Sequence, residues 1–122
     1  AISIGVLSSA VLNLNNMRDE VGDKKANKNT LVVIFGKQFA KKYHMSLIIL
    51  GFLSLFLFLI IYFGLENFAV YIPLLAFIPL GIHLKKIISY TDPKTLDPEL
   101  KKVALSTFAL SIMLFLVVLF MN

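Results

Sequence analysis

The sequence contains no cysteine and no tryptophan, and only seven of its 122 residues are acidic. Without cysteine, a disulfide framework and thiol catalysis are both excluded. Charge is missing altogether from four runs: residues 1–17, 43–65, 67–84 and 103–122. A membrane-spanning helix needs about 20 predominantly apolar residues, within a range of about 17–25. Four such runs in one short chain, with 58% hydrophobic residues and a mean hydropathy of +0.85, exclude a soluble globular domain. Helices satisfy their own backbone groups in lipid, so the expected fold is an all-α integral membrane protein, a bundle of about four transmembrane helices.

The charges that are present are segregated. All 12 Lys and Arg residues lie within residues 18–42 or 85–102. In a soluble protein a net charge of +5 would suggest nucleic acid. Here the cations flank apolar runs, which points to a lipid bilayer and to no nucleic-acid partner. The positive-inside rule places both basic segments in the cytoplasm, and the turn at residues 64–68 and the C-terminus outside.

The expected spans are about 1–18, 38–63, 69–85 and 99–121, with a cytoplasmic motif loop over 19–37. The first run opens at Ala1, already apolar, with neither Met nor a basic signal-peptide flank. It reads as a helix that starts further upstream, which makes residues 1–122 the C-terminal part of a single larger domain. Gly5 and Ser9 have the small-xxx-small spacing that favours close helix contact. Ser8, Ser9, Asn13 and Asn15 make the lower half of this span polar, which predicts a cavity above its end. Asn27 and Asn29 suit turn or left-handed conformations, and Thr30 can cap the helix after them. Leu31–Phe35 is too short to span and reads as an interfacial helix ending at Gly36. Pro73 and Pro79 predict a kinked third span. His83 reads as a snorkelling or hydrogen-bonded interfacial residue, Asp97 as an N-cap ahead of Pro98, and Thr107 with Ser111 as a packing face.

The chemistry sits in Asn15-Asn16-Met17-Arg18-Asp19-Glu20-Val21-Gly22-Asp23, which runs on through Lys28-Asn29-Thr30-Leu31. If helical, Asn15, Asp19 and Asp23 recur every four residues on one face. Carboxylates and amide oxygens in that pattern suit a hard divalent cation, and Arg and Lys suit phosphate oxygens. Surface ion pairing accounts for Glu20, Lys24 and Lys25. It does not account for Asn13, Asn15, Asn16 and Asp19, which lie at or above the last apolar turn, where polarity is costly.

This stretch resembles the second aspartate-rich motif of the UbiA superfamily of membrane prenyltransferases, in the wording N-N-x-R-D-x-x-x-D followed by G-K-x-T-L and a further Gly. The wording is that of the branch that prenylates dihydroxynaphthoate. Asn27 stands where the family has Gly, and Asn29 where it often has Arg. The family's first aspartate-rich motif has no counterpart in these 122 residues. The resemblance implies a nine-helix bundle in a bacterial-type cell membrane. It further implies Mg²⁺-dependent transfer of a polyprenyl group from polyprenyl diphosphate to an aromatic acceptor, with 1,4-dihydroxy-2-naphthoate giving demethylmenaquinone. On that basis Asp19 and Asp23 would be catalytic metal ligands, Asn15 and Asn16 would assist them, and Arg18 and Lys28 would bind the diphosphate. These residues alone would be inactive. The alternatives are a relative using 4-hydroxybenzoate, a haem or a chlorophyll precursor, or a small transporter or channel subunit with the motif as its ion path.

Overall fold

A computed structural model describes residues 2–121, which are helical throughout apart from short turns, with no strand among them. Ala1, the first residue of the expected 1–18 span, and Asn122, at the expected outside terminus, lie beyond the described residues. The order is α1 (Ile2–Arg18), α2 (Glu20–Lys25), α3 (Leu31–Phe63), a 3₁₀ segment (Phe68–Ala76), α4 (Phe77–Ser89), a 3₁₀ turn (Pro93–Leu96) and α5 (Asp97–Met121). Among the described residues, three stretches are long and apolar enough to cross a membrane: Leu31–Phe63, Phe68–Ser89 and Pro93–Met121. Helix α1, with 17 residues, is about 25 Å long at 1.5 Å per residue.

These helices are apolar nearly all round, so packing selects the inner face. Ser3, Leu7, Ala10, Leu14 and Met17 form the buried stripe of α1. Ala40, His44, Leu47, Gly51, Leu55 and Leu59 form that of α3. On α5 it runs through Glu99, Val103, Ser106, Leu110, Leu114 and Val117. The outer faces carry large exposed side chains such as Leu57, Ile61, Phe108 and Phe115, a surface suited to lipid. In hydrocarbon, close approach and hydrogen bonds hold helices together better than apolar area does. The α1–α3 crossing has both. A Cβ on Gly51 would lie 3.1 Å from Leu7, and the Ser3 hydroxyl donates to the Gly51 carbonyl at 2.7 Å. Gly5 and Ser9, the expected close-contact pair, are exposed instead, and a Cβ on Gly5 would meet nothing within 4 Å. The small residue that matters is on the partner helix.

Gly36 divides α3. Its φ of 83° and ψ of 165° lie in a region open essentially to glycine alone. The Leu31–Phe35 turn before it is helical, as expected, and the long shaft comes after it. The third span begins as 3₁₀ helix through Pro73 and becomes α-helical at Phe77. The last span starts earlier than its Asp97-Pro98 pair suggests. Asp97 is already helical (φ −54°, ψ −52°). The cap is Asp92, whose side chain accepts from the Lys94 amide at 3.0 Å, with Pro93 in the first turn. The 3₁₀ turn runs straight into α5, so the N-terminus that needs capping lies five residues upstream of Asp97.

A buried polar chain links α3, α4 and α5. His83 does not snorkel: it is fully buried, and its Nδ1 lies 2.7 Å from Glu99 Oε2. Its Nε2 lies 2.8 Å from His44 Nε2. Lys102 closes the chain at the rim by donating to Glu99 at 2.8 and 3.0 Å. With Glu99 accepting, the His83 proton belongs on Nδ1, and His83 Nε2 accepts from the His44 Nε2–H. Thr107, buried, and Ser111 return their hydroxyls to their own helix, at Val103 and Thr107, rather than across an interface.

Replacing Glu99 by Leu leaves the buried His83 Nδ1–H unpaired, and a loss of about 1–3 kcal/mol is expected. Glu99→Gln keeps an acceptor and should lose less. The order of thermal midpoints of the detergent-solubilised protein checks this; equal midpoints for Glu99→Leu and the parent would contradict it.

Candidate functional site

The site is built where α1 runs out. Asp19 interrupts the helix (φ −90°, ψ 5°). Its amide still bonds to the Asn15 carbonyl at 3.0 Å, and the Asp23 amide to the Asp19 carbonyl at 2.9 Å. The four-residue spacing of Asn15, Asp19 and Asp23 therefore survives the break. Beyond α2 the chain reverses at Asn27, which adopts a left-handed φ of 54°. Such a residue after a helix closes it through paired 6→1 and 5→2 bonds. Here these are Lys28 N–H to the Asp23 carbonyl at 2.9 Å and Asn27 N–H to that of Lys24 at 3.3 Å. This turn folds Lys28 back onto the buried Asp23, Nζ to Oδ1 at 3.1 Å. Asparagine thus does the work usually left to glycine after a helix end. Thr30 occupies the N-cap position of α3, but its side chain makes no capping bond.

Arg18 is the hub. Its Nε and Nη2 donate to both oxygens of Asp19 at 2.8 and 2.9 Å. Nη2 also donates to Asn15 Oδ1 at 2.8 Å, and Nη1 lies 3.4 Å from Asp97 Oδ1. Hydrogen bonding by Arg18 holds the Asp19 carboxyl below the usual carboxylate range, so it is ionised at neutral pH. The Asp97 contact ties the motif to the start of α5.

The facing segment is anchored from α3. Lys41 donates to the carbonyls of Ile88 and Tyr90 at 2.9 and 3.1 Å. The Lys37 and Lys41 ammonium groups sit 4.2 and 4.4 Å from the centre of the Tyr90 ring. Burial pushes the Tyr90 phenol up to about 12, with the charge of Glu20 adding to the shift.

Between these walls lies a cavity of about 760 Å³. Arg18, Asp19, Asp23 and Lys28 line one side; Asp92, Lys94 and Asp97 line the other. It lies at the end of the bundle beside the motif. The polar residues expected to face a cavity higher up are used otherwise. Ser8 and Ser9 bond to their own helix at Ile4 and Gly5, and Asn13 is buried against α3, donating to the Ala40 carbonyl at 3.1 Å. Asn15 holds Arg18, and neither Asn15 nor Asn16 lines the cavity. Sequence reasoning misses Asp92, Lys94 and Asp97 as site residues, although it places their basic segment on the same membrane side as the motif. His44 carries no signal of its own, because a single histidine in an apolar run says nothing of its partner.

The acidic donors on the cavity wall are all carboxylate oxygens, the chemistry Mg²⁺ takes. Asp19 and Asp23 each already hold a cation of the chain. Among the described residues no three acidic, histidine or cysteine side chains converge to enclose an ion. The residues present thus fit part of a Mg²⁺ shell.

Residues 1–104 match the model of the UbiA prenyltransferase family. The chain is 35% identical over 102 residues to 1,4-dihydroxy-2-naphthoate octaprenyltransferase of Escherichia coli K12, covering 84% of this chain and 32% of that protein. It is 52% identical over 48 residues to the Haemophilus influenzae protein of the same name, covering 39% of this chain and 16% of that one. It thus spans about a third of the length of the first of these relatives. No solved structure gives a significant match. With its family model matched over most of its length, this all-helical membrane chain belongs to the UbiA prenyltransferase family.

Proposed function

We propose that the chain supplies the diphosphate-facing part of a membrane enzyme that moves a polyprenyl group from polyprenyl diphosphate onto an aromatic acceptor. The acceptor is 1,4-dihydroxy-2-naphthoate, the compound named for both curated relatives. The observation that carries this reading is the cavity wall itself. In a chain of this family, Asp19, Asp23, Arg18 and Lys28 border one space at the end of an apolar bundle. An ion path through the motif would require the motif's own carboxylates further inside the bundle, and family membership gives the transporter reading no support.

Breaking the carbon–oxygen bond to diphosphate leaves an allylic cation and a leaving group of growing negative charge. Mg²⁺, when bound, neutralises that charge. Asp19 and Asp23 would hold it; Asn15 and Asn16, which do not line the cavity, would act from beside them, Asn15 through Arg18. Arg18 and Lys28 would turn from their carboxylate partners to phosphate oxygens as the carboxylates turn to the metal. The apolar helices would enclose the isoprenoid tail and keep water from the allylic cation.

The same residues bear on the orientation in the membrane. All Lys and Arg side chains belong to two segments, and contacts such as Lys41 to Tyr90 and Arg18 to Asp97 hold these segments together at one end of the bundle. That end would face the cytoplasm, with the 64–68 turn and the C-terminus outside.

In the intact enzyme, Asp19→Asn and Asp23→Asn should each lower kcat for prenyl transfer by about 100-fold or more, the scale of removing one group that stabilises transition-state charge. Full activity of Asp19→Asn at limiting Mg²⁺ would sink the assignment. Chelation of divalent cations should abolish transfer, and added Mg²⁺ should restore it; turnover persisting in excess chelator would rule the metal out.

A further inference from the structure

Three cations border the cavity, and two are already spent. Arg18 is shared among Asp19, Asn15 and Asp97, and Lys28 is paired with Asp23. The third, Lys94, is exposed and has no ion pair among the described residues. Its backbone is nevertheless fixed. The Lys94 amide donates to Asp92 Oδ1 at 3.0 Å, and the Thr95 hydroxyl donates to the Asp92 carbonyl at 2.7 Å. A held backbone with an unengaged ammonium, across from the motif, suits the capture of an anion. The carboxylates of Asp92 and Asp97 beside it do not neutralise it by contact.

We propose that Lys94 binds the diphosphate of the prenyl donor, meeting its oxygens from the wall opposite Arg18 and Lys28. This rests on the reading of the cavity as a diphosphate site. While the motif's cations still hold their own carboxylates, Lys94 is the charge on offer, so it acts on the incoming ground state. A contact made equally in the bound substrate and in the transition state changes KM and leaves kcat alone.

The experiment uses the intact enzyme in membranes, assayed with prenyl diphosphate and with inorganic pyrophosphate as competing inhibitor. Lys94→Gln should raise KM for prenyl diphosphate and Ki for pyrophosphate by about 10-fold each, as loss of one charge-assisted contact would. Here kcat and KM for the aromatic acceptor should stay within about twofold. Lys94→Arg, which keeps the charge, should bring both constants back to within about threefold of the parent. KM and Ki do not depend on how much of the enzyme is active, so partial misfolding cannot mimic the result. Unchanged KM and Ki in Lys94→Gln, or a fall in kcat alone, overturns the proposal. If Asp19→Asn is inactive in the same assay, that failure concerns Lys94 only; if Asp19→Asn is fully active, the diphosphate reading itself fails.

Discussion

A polar side chain within hydrocarbon has no water to bond to, so each one that enters the bundle must be matched by another group of the protein. The helices of this chain are held by that requirement. Ser3 reaches the Gly51 carbonyl and Asn13 that of Ala40, which joins α1 to α3 at two levels. His44, His83, Glu99 and Lys102 then join α3 to α4 and α5. Apolar area cannot perform this role, because an exposed leucine is as well accommodated by lipid as a buried one. The crossings are therefore specified by a few hydrogen bonds and one glycine, while the outer faces are free to be any large apolar residue.

The same ties build the cavity. The two segments that line it are far apart in sequence: Arg18–Lys28 on one side, Asp92–Asp97 on the other. Each is built of short helical pieces and turns, too small to fix its own place in the bundle. Lys37 and Lys41 clamp the second segment through Tyr90 and its neighbouring carbonyls. Glu99, in the first turn of α5, holds the start of that helix against His83. The motif is presented to the opposite wall because α1 is pinned along its length. Packing inside the bundle is thus the cause, and the charged site at its end the consequence.

Some of this is legible in the residues. Uncharged runs mark spans directly, and Gly36 and Asn27 mark backbone reversals because few other residues tolerate those torsions. The motif's spacing carries its side chains to one wall. Pairings between spans are a different matter. His83 and His44 are 39 residues apart, and their meeting depends on the rotation and depth of two helices, of which the α3 shaft is apolar on nearly every side. Periodicity carries no information when there is no polar face to contrast. Gly5 with Ser9 has a better contact spacing than Gly51 with anything near it, yet Gly51 is the residue at the crossing. Asp97 departs from its expected capping role for a related reason. Two Asp-Pro pairs lie five residues apart, and either can start a helix; tertiary packing of the 3₁₀ turn decides for Asp92. That leaves Asp97 free to reach Arg18.

The electrostatic state of the cavity is a result of these placements. Asp19 and Asp23 face cations of their own segment at hydrogen-bonding distance, so the acidic motif is self-neutralised. On the proposed reading, a metal–diphosphate complex would bring charge of both signs and would enter by exchanging partners: carboxylates to metal, guanidinium and ammonium to phosphate. Neither half alone offers that exchange. A free cation would have to strip the carboxylates from Arg18 and Lys28 and leave those charges unmatched; a free diphosphate would do the same to Asp19 and Asp23. On that reading the pairing within the motif would favour the complex over its parts, while it holds the side chains near one another. Asn15 and Asp97 would complete the arrangement, because Arg18 would keep two further acceptors if Asp19 turned to the metal.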